Sequence, residues 1–108
     1  MSDRPLRRGQ VWEYIAGSQQ YRILVLSGED FNTLDGAQPW AVLIRRTGAA
    51  LTDFLIPLGP ADPLTGSIVE IPRVMRCDPS GLRAIVGYVS PATMRLVEHA
   101  VRELLELP

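Results

Sequence analysis

Two short runs, Ile23-Leu24-Val25-Leu26 and Ala41-Val42-Leu43-Ile44, are apolar at every position. Such a run presents apolar groups to both faces of a strand, so each belongs in the interior of a sheet rather than at its rim. Around them, nine glycines and nine prolines cut the chain into short pieces. Residues 9–15 carry Val11, Trp12, Tyr14 and Ile15 and read as a first strand. Residues 16–20 break it, and residues 21–26 form a second strand. Residues 27–38 are polar and suit a loop with one helical turn, and residues 40–46 make a third strand. Residues 54–58 are a fourth, at an edge or ending at Pro57, which has no N–H for a ladder.

Residues 67–71 and 74–76 read as one strand interrupted at Pro72. Asp78-Pro79-Ser80-Gly81 has the residues of a tight turn, and residues 82–88 follow as a short strand or irregular return. The helical signal lies at the carboxyl end. Ser90 is an N-cap and Pro91 a first helical residue. Met94, Val97, Val101, Leu104 and Leu105 then recur at helical spacing, and Leu96, Ala100 and Leu107 widen the apolar surface. The expected fold is mainly β with a C-terminal helix.

At 108 residues the chain is one domain, with residues 1–7 a loose tail and residues 8–108 the folded unit. An apolar content of 46% and a formal net charge of −1 argue against disorder and against a strongly basic nucleic-acid coating protein. No apolar run approaches the ~18 residues that span a bilayer, and the charged start lacks a signal-peptide core, so a cytoplasmic protein without membrane partners is expected. One cysteine, Cys77, and one histidine, His99, give neither an internal disulfide nor a zinc cage. No metal and no cofactor is expected.

All eleven cations are arginine. Arginine codons are GC-rich, so genome composition accounts for the bias, yet every basic site is thereby a planar fork suited to phosphate. Glycine-rich phosphate loops and serine–histidine motifs are absent. His99 lies mid-helix, Cys77 has the setting of a buried inert thiol, and Asp30, Asp35, Asp53 and Asp62 are scattered in loops. Three polar positions stand out by place. Arg22 opens an otherwise apolar strand, Arg45-Arg46-Thr47 closes another, and Ser67 begins a third. Side by side, these strands would gather guanidinium and hydroxyl groups able to hold a phosphodiester. Adjacent strand residues face opposite ways, so one of Arg45 and Arg46 is expected in the groove.

The order of these features resembles the MazF/PemK family of toxins from bacterial toxin–antitoxin systems. Arg8-Gly9-Gln10-Val11-Trp12 is similar to the family's opening Arg-Gly-Asp-Val-Trp strand. Tyr21-Arg22-Ile23-Leu24-Val25-Leu26-Ser27 stands where the family has Arg-Pro and a valine-rich strand, and Phe31-Asn32 resembles a Phe-Asn that ends the next loop. Ala41-Val42-Leu43-Ile44-Arg45-Arg46-Thr47 takes the place of a strand ending Pro-x-Thr. Leu64-Thr65-Gly66-Ser67-Ile68-Val69 and Gly87-Tyr88-Val89-Ser90-Pro91-Ala92-Thr93-Met94 resemble its Gly-Leu-x-x-x-Ser-Val-Val segment and helix start. The likeness runs from Arg8 through nearly the whole chain.

The resemblance implies an SH3-like small antiparallel β-barrel, a homodimer, a cognate antitoxin partner, and metal-independent, sequence-specific cleavage of single-stranded RNA through 2′-hydroxyl attack. By the same resemblance Arg22 and Thr47 are the catalytic pair, with Arg45, Arg46, Ser67 and Tyr21 as RNA-binding residues. Ile23 and Arg45 replace family prolines, and the loop between Ala16 and Tyr21 is short. The alternative is a silent or CcdB-like relative acting by protein binding, because a fold does not fix an activity. Leu104-Leu105-Glu106-Leu107-Pro108 lacks the tryptophan of the CcdB terminus.

Overall fold

The structure is a computed structural model that describes residues 6–46 and 52–107. Its elements are β1 (Gln10–Ala16), β2 (Gln19–Val25), α1 (Glu29–Asn32), β3 (Trp40–Arg45), β4 (Leu55–Pro57), β5 (Ile68–Arg76), β6 (Leu82–Tyr88) and α2 (Pro91–Leu104). A 3₁₀ turn at Pro79–Gly81 precedes β6. The six strands form one antiparallel sheet in the order β4-β5-β3-β2-β1-β6.

The two wholly apolar runs lie in β2 and β3, except that Leu26 follows the end of β2, and both strands are interior. Ile23, Leu24, Val25, Ala41 and Val42 are fully buried. Alternate residues feed two clusters. Val11, Leu24, Val42, Ile44, Ile56, Val69 and Ile71 pack with Val97 and Ala100 of α2. Tyr14, Ile23, Ala41 and Cys77 pack with Trp12, Tyr21, Leu43, Met75 and Leu82. Each fully buried aliphatic side chain contributes about 1.5–3 kcal/mol, which is why these strands hold their register.

The break between β1 and β2 is tighter than the five residues expected. Ala16 pairs with Gln19, leaving a two-residue turn whose first position, Gly17, has φ +62°. The primed turns that match strand twist need this left-handed conformation, which glycine adopts without a Cβ clash. The consequence is a fixed register that sets Glu13 opposite Arg22.

The sheet has two free edges, where the expected barrel would close. β4 has three residues and ends in Pro57, so it offers little ladder for β6 to join, and the two strands do not pair. β5 is continuous through Pro72, because the chain bulges there: Val42 pairs with Val74 while the next residue, Leu43, pairs with Glu70. β6 is a full seven-residue strand at the other edge.

The start of α2 is built as its sequence indicates. The Thr93 N–H donates to Ser90 Oγ at 3.2 Å, and Pro91 occupies the first turn. A second tie comes from Asp62, a loop residue only 7% exposed. Its carboxylate accepts from Ser90 N–H at 2.6 Å, Thr93 Oγ1 at 2.6 Å and Gly59 N–H at 2.9 Å. Burial alone would raise the Asp62 pKa, but the three donors outweigh it and hold the carboxyl below its ordinary value. In the 3₁₀ turn, Gly81 lies so close to Tyr14 and the Ile15 carbonyl that a Cβ would clash, and Tyr14 Oη accepts from Asp78 N–H at 2.9 Å.

Candidate functional site

The first half of β2, the end of β3 and the residue before β5 come together around a cavity of about 250 Å³. Tyr21, Arg22, Arg45, Arg46 and Ser67 border it, as do Glu13, Gln20 and Ile44. Thr47 lies outside the described residues. The volume is below the roughly 300–1,000 Å³ of small-molecule clefts.

Strand register explains the convergence. Glu13 pairs with Arg22, and Arg22 pairs with Ile44. These three positions share a face with Val11, Leu24 and Val42, so the apolar core face turns polar towards this end of the sheet. Two-residue alternation carries the same face on to Arg46. Gln20, two residues before Arg22 and on the same face of β2, also reaches the rim.

The three arginines are not equivalent. Arg45 Nε lies 2.7 Å from Glu70 Oε1, and Arg73 Nη1 lies 4.0 Å from the other carboxylate oxygen. The Arg45 contact is ionic without an aligned hydrogen bond, since its buried Nε–H does not point along the Glu70 oxygen. The Glu70 side chain is 12% exposed. Among the described residues, Arg22 and Arg46 have no ion-pair or hydrogen-bond partner, and neither does Glu13. Arg45 and Arg46 both border the cavity, where strand alternation leads to the expectation of only one, and of the two only Arg45 is tethered among the described residues.

The remaining polar candidates stand apart from the cavity. His99 is exposed on α2, with Nε2 3.1 Å from Glu103 Oε1 one turn on. Cys77 is buried in the second cluster, and burial pushes its thiol up to about 12, so it is inert at neutral pH. Among the described residues no group of three or more His, Cys, Asp or Glu side chains stands together as metal ligands.

A second feature is apolar. Leu26, Trp40, Pro72, Val74, Val101, Leu104 and Leu105 line a groove of about 540 Å³ between the sheet and α2. Trp40 is 43% exposed there, with the Arg76 guanidinium 5.6 Å from its ring centroid. No helix among the described residues is long and apolar enough to cross a membrane.

Glu13, Gln20 and Glu70 join the site without standing out in the sequence. Glu13 carried a signal: it is the one charged residue in Gln10-Val11-Trp12-Glu13-Tyr14-Ile15, and a two-residue turn at Gly17-Ser18 makes Arg22 its cross-strand neighbour. Glu70 is legible only through the Pro72 bulge, which changes its register against β3.

No protein-family model matches the sequence, and no curated protein matches it. Solved structures do. An endoribonuclease from a mycobacterial species, in complex with its cognate antitoxin, is 30% identical with a TM-score of 0.85, covering 95% of this chain and 97% of that one. A second endoribonuclease of mycobacterial origin is 28% identical with a TM-score of 0.83, covering 97% of this chain and 95% of that one. The MazE–MazF structure from Deinococcus radiodurans shares the fold at 16% identity and a TM-score of 0.83, covering 98% of this chain and all of that one. With end-to-end agreement at these levels, and the family's strand order and helix start present in the sequence, the chain belongs to the MazF family of toxins.

Proposed function

We propose that this protein is the toxin of a toxin–antitoxin pair and a sequence-specific endoribonuclease that cuts single-stranded RNA by 2′-hydroxyl attack, without a metal ion. The observation that carries this reading is the cavity beside β2 and the end of β3, where Arg22 and Arg46 have no side-chain partner among the described residues. Cleavage of this kind needs three things: a positioned 2′-hydroxyl, stabilisation of charge on phosphorus, and a route for two protons. A guanidinium fork meets two non-bridging oxygens at once and is worth most where charge develops. Arg22 takes that role, with Arg46 and Arg45 on flanking phosphates. Ser67 and Thr47 donate hydroxyl hydrogen bonds to phosphate oxygens, and Tyr21 offers a ring on which an unstacked base lies.

The apolar groove at Trp40 and Leu105 fits the partner side of this reading. A contiguous apolar surface on a small chain marks a protein interface, and a related endoribonuclease was solved with its cognate antitoxin. The groove and the apolar surface of α2 together serve a homodimer and an antitoxin segment.

Purified protein incubated with long RNA, with and without a chelator, tests the proposal. Discrete fragments in both reactions, recurring at one short motif, are the expected result. Intact RNA, or cleavage that stops with chelator and returns with magnesium, would overturn it.

A further inference from the structure

We infer that Glu13 is the general base that takes the proton from the attacking 2′-hydroxyl. This rests on the endoribonuclease reading above and adds to it a residue that the family likeness does not mark. Glu13 pairs directly with Arg22 across β1 and β2 and borders the same cavity. Among the described residues that border it, Glu13 is the one carboxylate, and no imidazole is present. An ionised carboxylate is an acceptor only, so it turns away from phosphate oxygens and towards a hydroxyl or a base N–H.

Distance favours the hydroxyl. Directly opposed cross-strand residues have Cβ atoms about 4.5–5.5 Å apart. A phosphate held by the Arg22 fork therefore brings the adjoining ribose, with its 2′-hydroxyl next to the phosphorus, within reach of Glu13. The base edge of that nucleotide lies farther out. The pairing also differs from that of the other acid near the site: Glu70 is held by Arg45, whereas Glu13 has no ion-pair partner among the described residues. A half-buried, unpaired carboxylate in a strand interior does nothing for folding. Its placement makes sense as a proton acceptor.

The 2′-hydroxyl proton passes to a Glu13 Oε, and the freed oxygen pair forms the 2′-O–P bond. The P–O5′ bond breaks, and its electron pair takes a proton from water. The products are a 2′,3′-cyclic phosphate and a 5′-hydroxyl, and Glu13 returns its proton to solvent. The charged and titratable groups that border the cavity with Glu13 are Arg22 and Tyr21 from β2, Arg45 at the end of β3 and Arg46 just after it, while Ala84 pairs with Glu13 on β6.

The experiment compares wild type, Glu13→Gln and Glu13→Asp on one RNA, with kcat and KM measured from acid to neutral pH. Affinity is read separately on the same RNA carrying a 2′-deoxy residue at the cut site. Glu13→Gln is expected to lose on the order of 10²–10⁴ in kcat, keep its melting temperature, and bind the deoxy-substituted RNA within a few-fold of wild type. Its acidic limb should vanish, while Glu13→Asp keeps the limb at a reduced rate. Wild-type cleavage with a Glu13→Gln rate within about threefold overturns the inference alone. So does a loss confined to KM, or a changed cutting motif, either of which makes Glu13 a reader of the base. Failure of the wild type to cut RNA overturns the parent reading as well.

Discussion

Asp62 and Arg22 are charged groups on opposite terms with the rest of the chain. Asp62 sits in the loop between β4 and β5, and every donor it needs comes from within: two backbone N–H groups and a threonine hydroxyl. Arg22 sits where β2 leaves the core face, and among the described residues nothing answers it. A buried charge with a full set of partners is a fastener, since removing it strands those partners away from water. A charge left open at the rim of a cavity costs the fold something in desolvation and returns nothing until a ligand arrives. The contrast therefore predicts which substitutions damage activity and which damage stability.

The largest effect is expected at Arg22. Arg22→Ala should lower the cleavage rate by on the order of 10²–10³, the usual cost of one preorganised donor, with the melting temperature unchanged. Arg22→Lys should recover little, because an ammonium keeps the charge and loses the fork. Rates measured at matched distance below each variant's melting temperature check this. A wild-type rate in Arg22→Ala would erase the contrast with Asp62.

Next comes Asp62→Ala, expected to cost about 2–4 kcal/mol of stability while leaving the cleavage rate of the folded fraction intact. Denaturant melts give the first quantity and low-temperature kinetics the second. The same residue shapes the acid side. Its folded carboxyl titrates below the ordinary value of 3.8, so its contribution is whole above that pH and is lost as pH falls through the folded value. Asp62→Ala should accordingly flatten the loss of stability below pH about 4. An unchanged acid slope would mean that other carboxylates set it.

Arg45 is the intermediate case, bordering the cavity yet tied to Glu70. Glu70→Gln is expected to cost about 1 kcal/mol, since the Arg45 side chain is 36% exposed and solvent screens the pair. The cleavage rate should fall by less than in Arg22→Ala. A rate loss as large as that of Arg22→Ala would show that the tether, rather than the free fork, organises the site.

Much of the scaffold is legible from residue order because local chemistry decides it. Ile23 to Leu26 and Ala41 to Ile44 require interior strands, Pro57 requires an edge or an end, and Ser90-Pro91 starts a helix, whatever the rest of the chain does. Arg45, Arg46 and Ser67 are visible as polar groups at strand ends for the same reason, whereas Arg22, expected to open its strand, lies in the middle of β2, because the tight turn at Gly17 lets the strand start at Gln19. The remainder depends on distant partners. Asp62 looks like any loop carboxylate until Ser90 and Thr93, 28 and 31 residues on, fold over it. Whether a sheet closes depends on two edges that never meet in sequence, and β4 proves too short to join β6. Glu13 becomes a site residue only once a two-residue turn has fixed which residue it faces.

The position of β6 beside β1 has a consequence for the route to the native state. Gln10 donates to Tyr88 Oη across 78 residues of chain, and all of β1's outer ladder waits on that return. The hairpin of β1 and β2, by contrast, closes through two residues and brings Glu13 to Arg22 at once. Loop closure over a long span loses more entropy before any contact offsets it, and long-range strand pairing is correspondingly slow. The arrangement favours a kinetic order in which the cavity's first wall forms early and the sheet's far rim docks late. During that interval β1 exposes an unsatisfied strand edge, which is the surface through which partly folded β proteins associate.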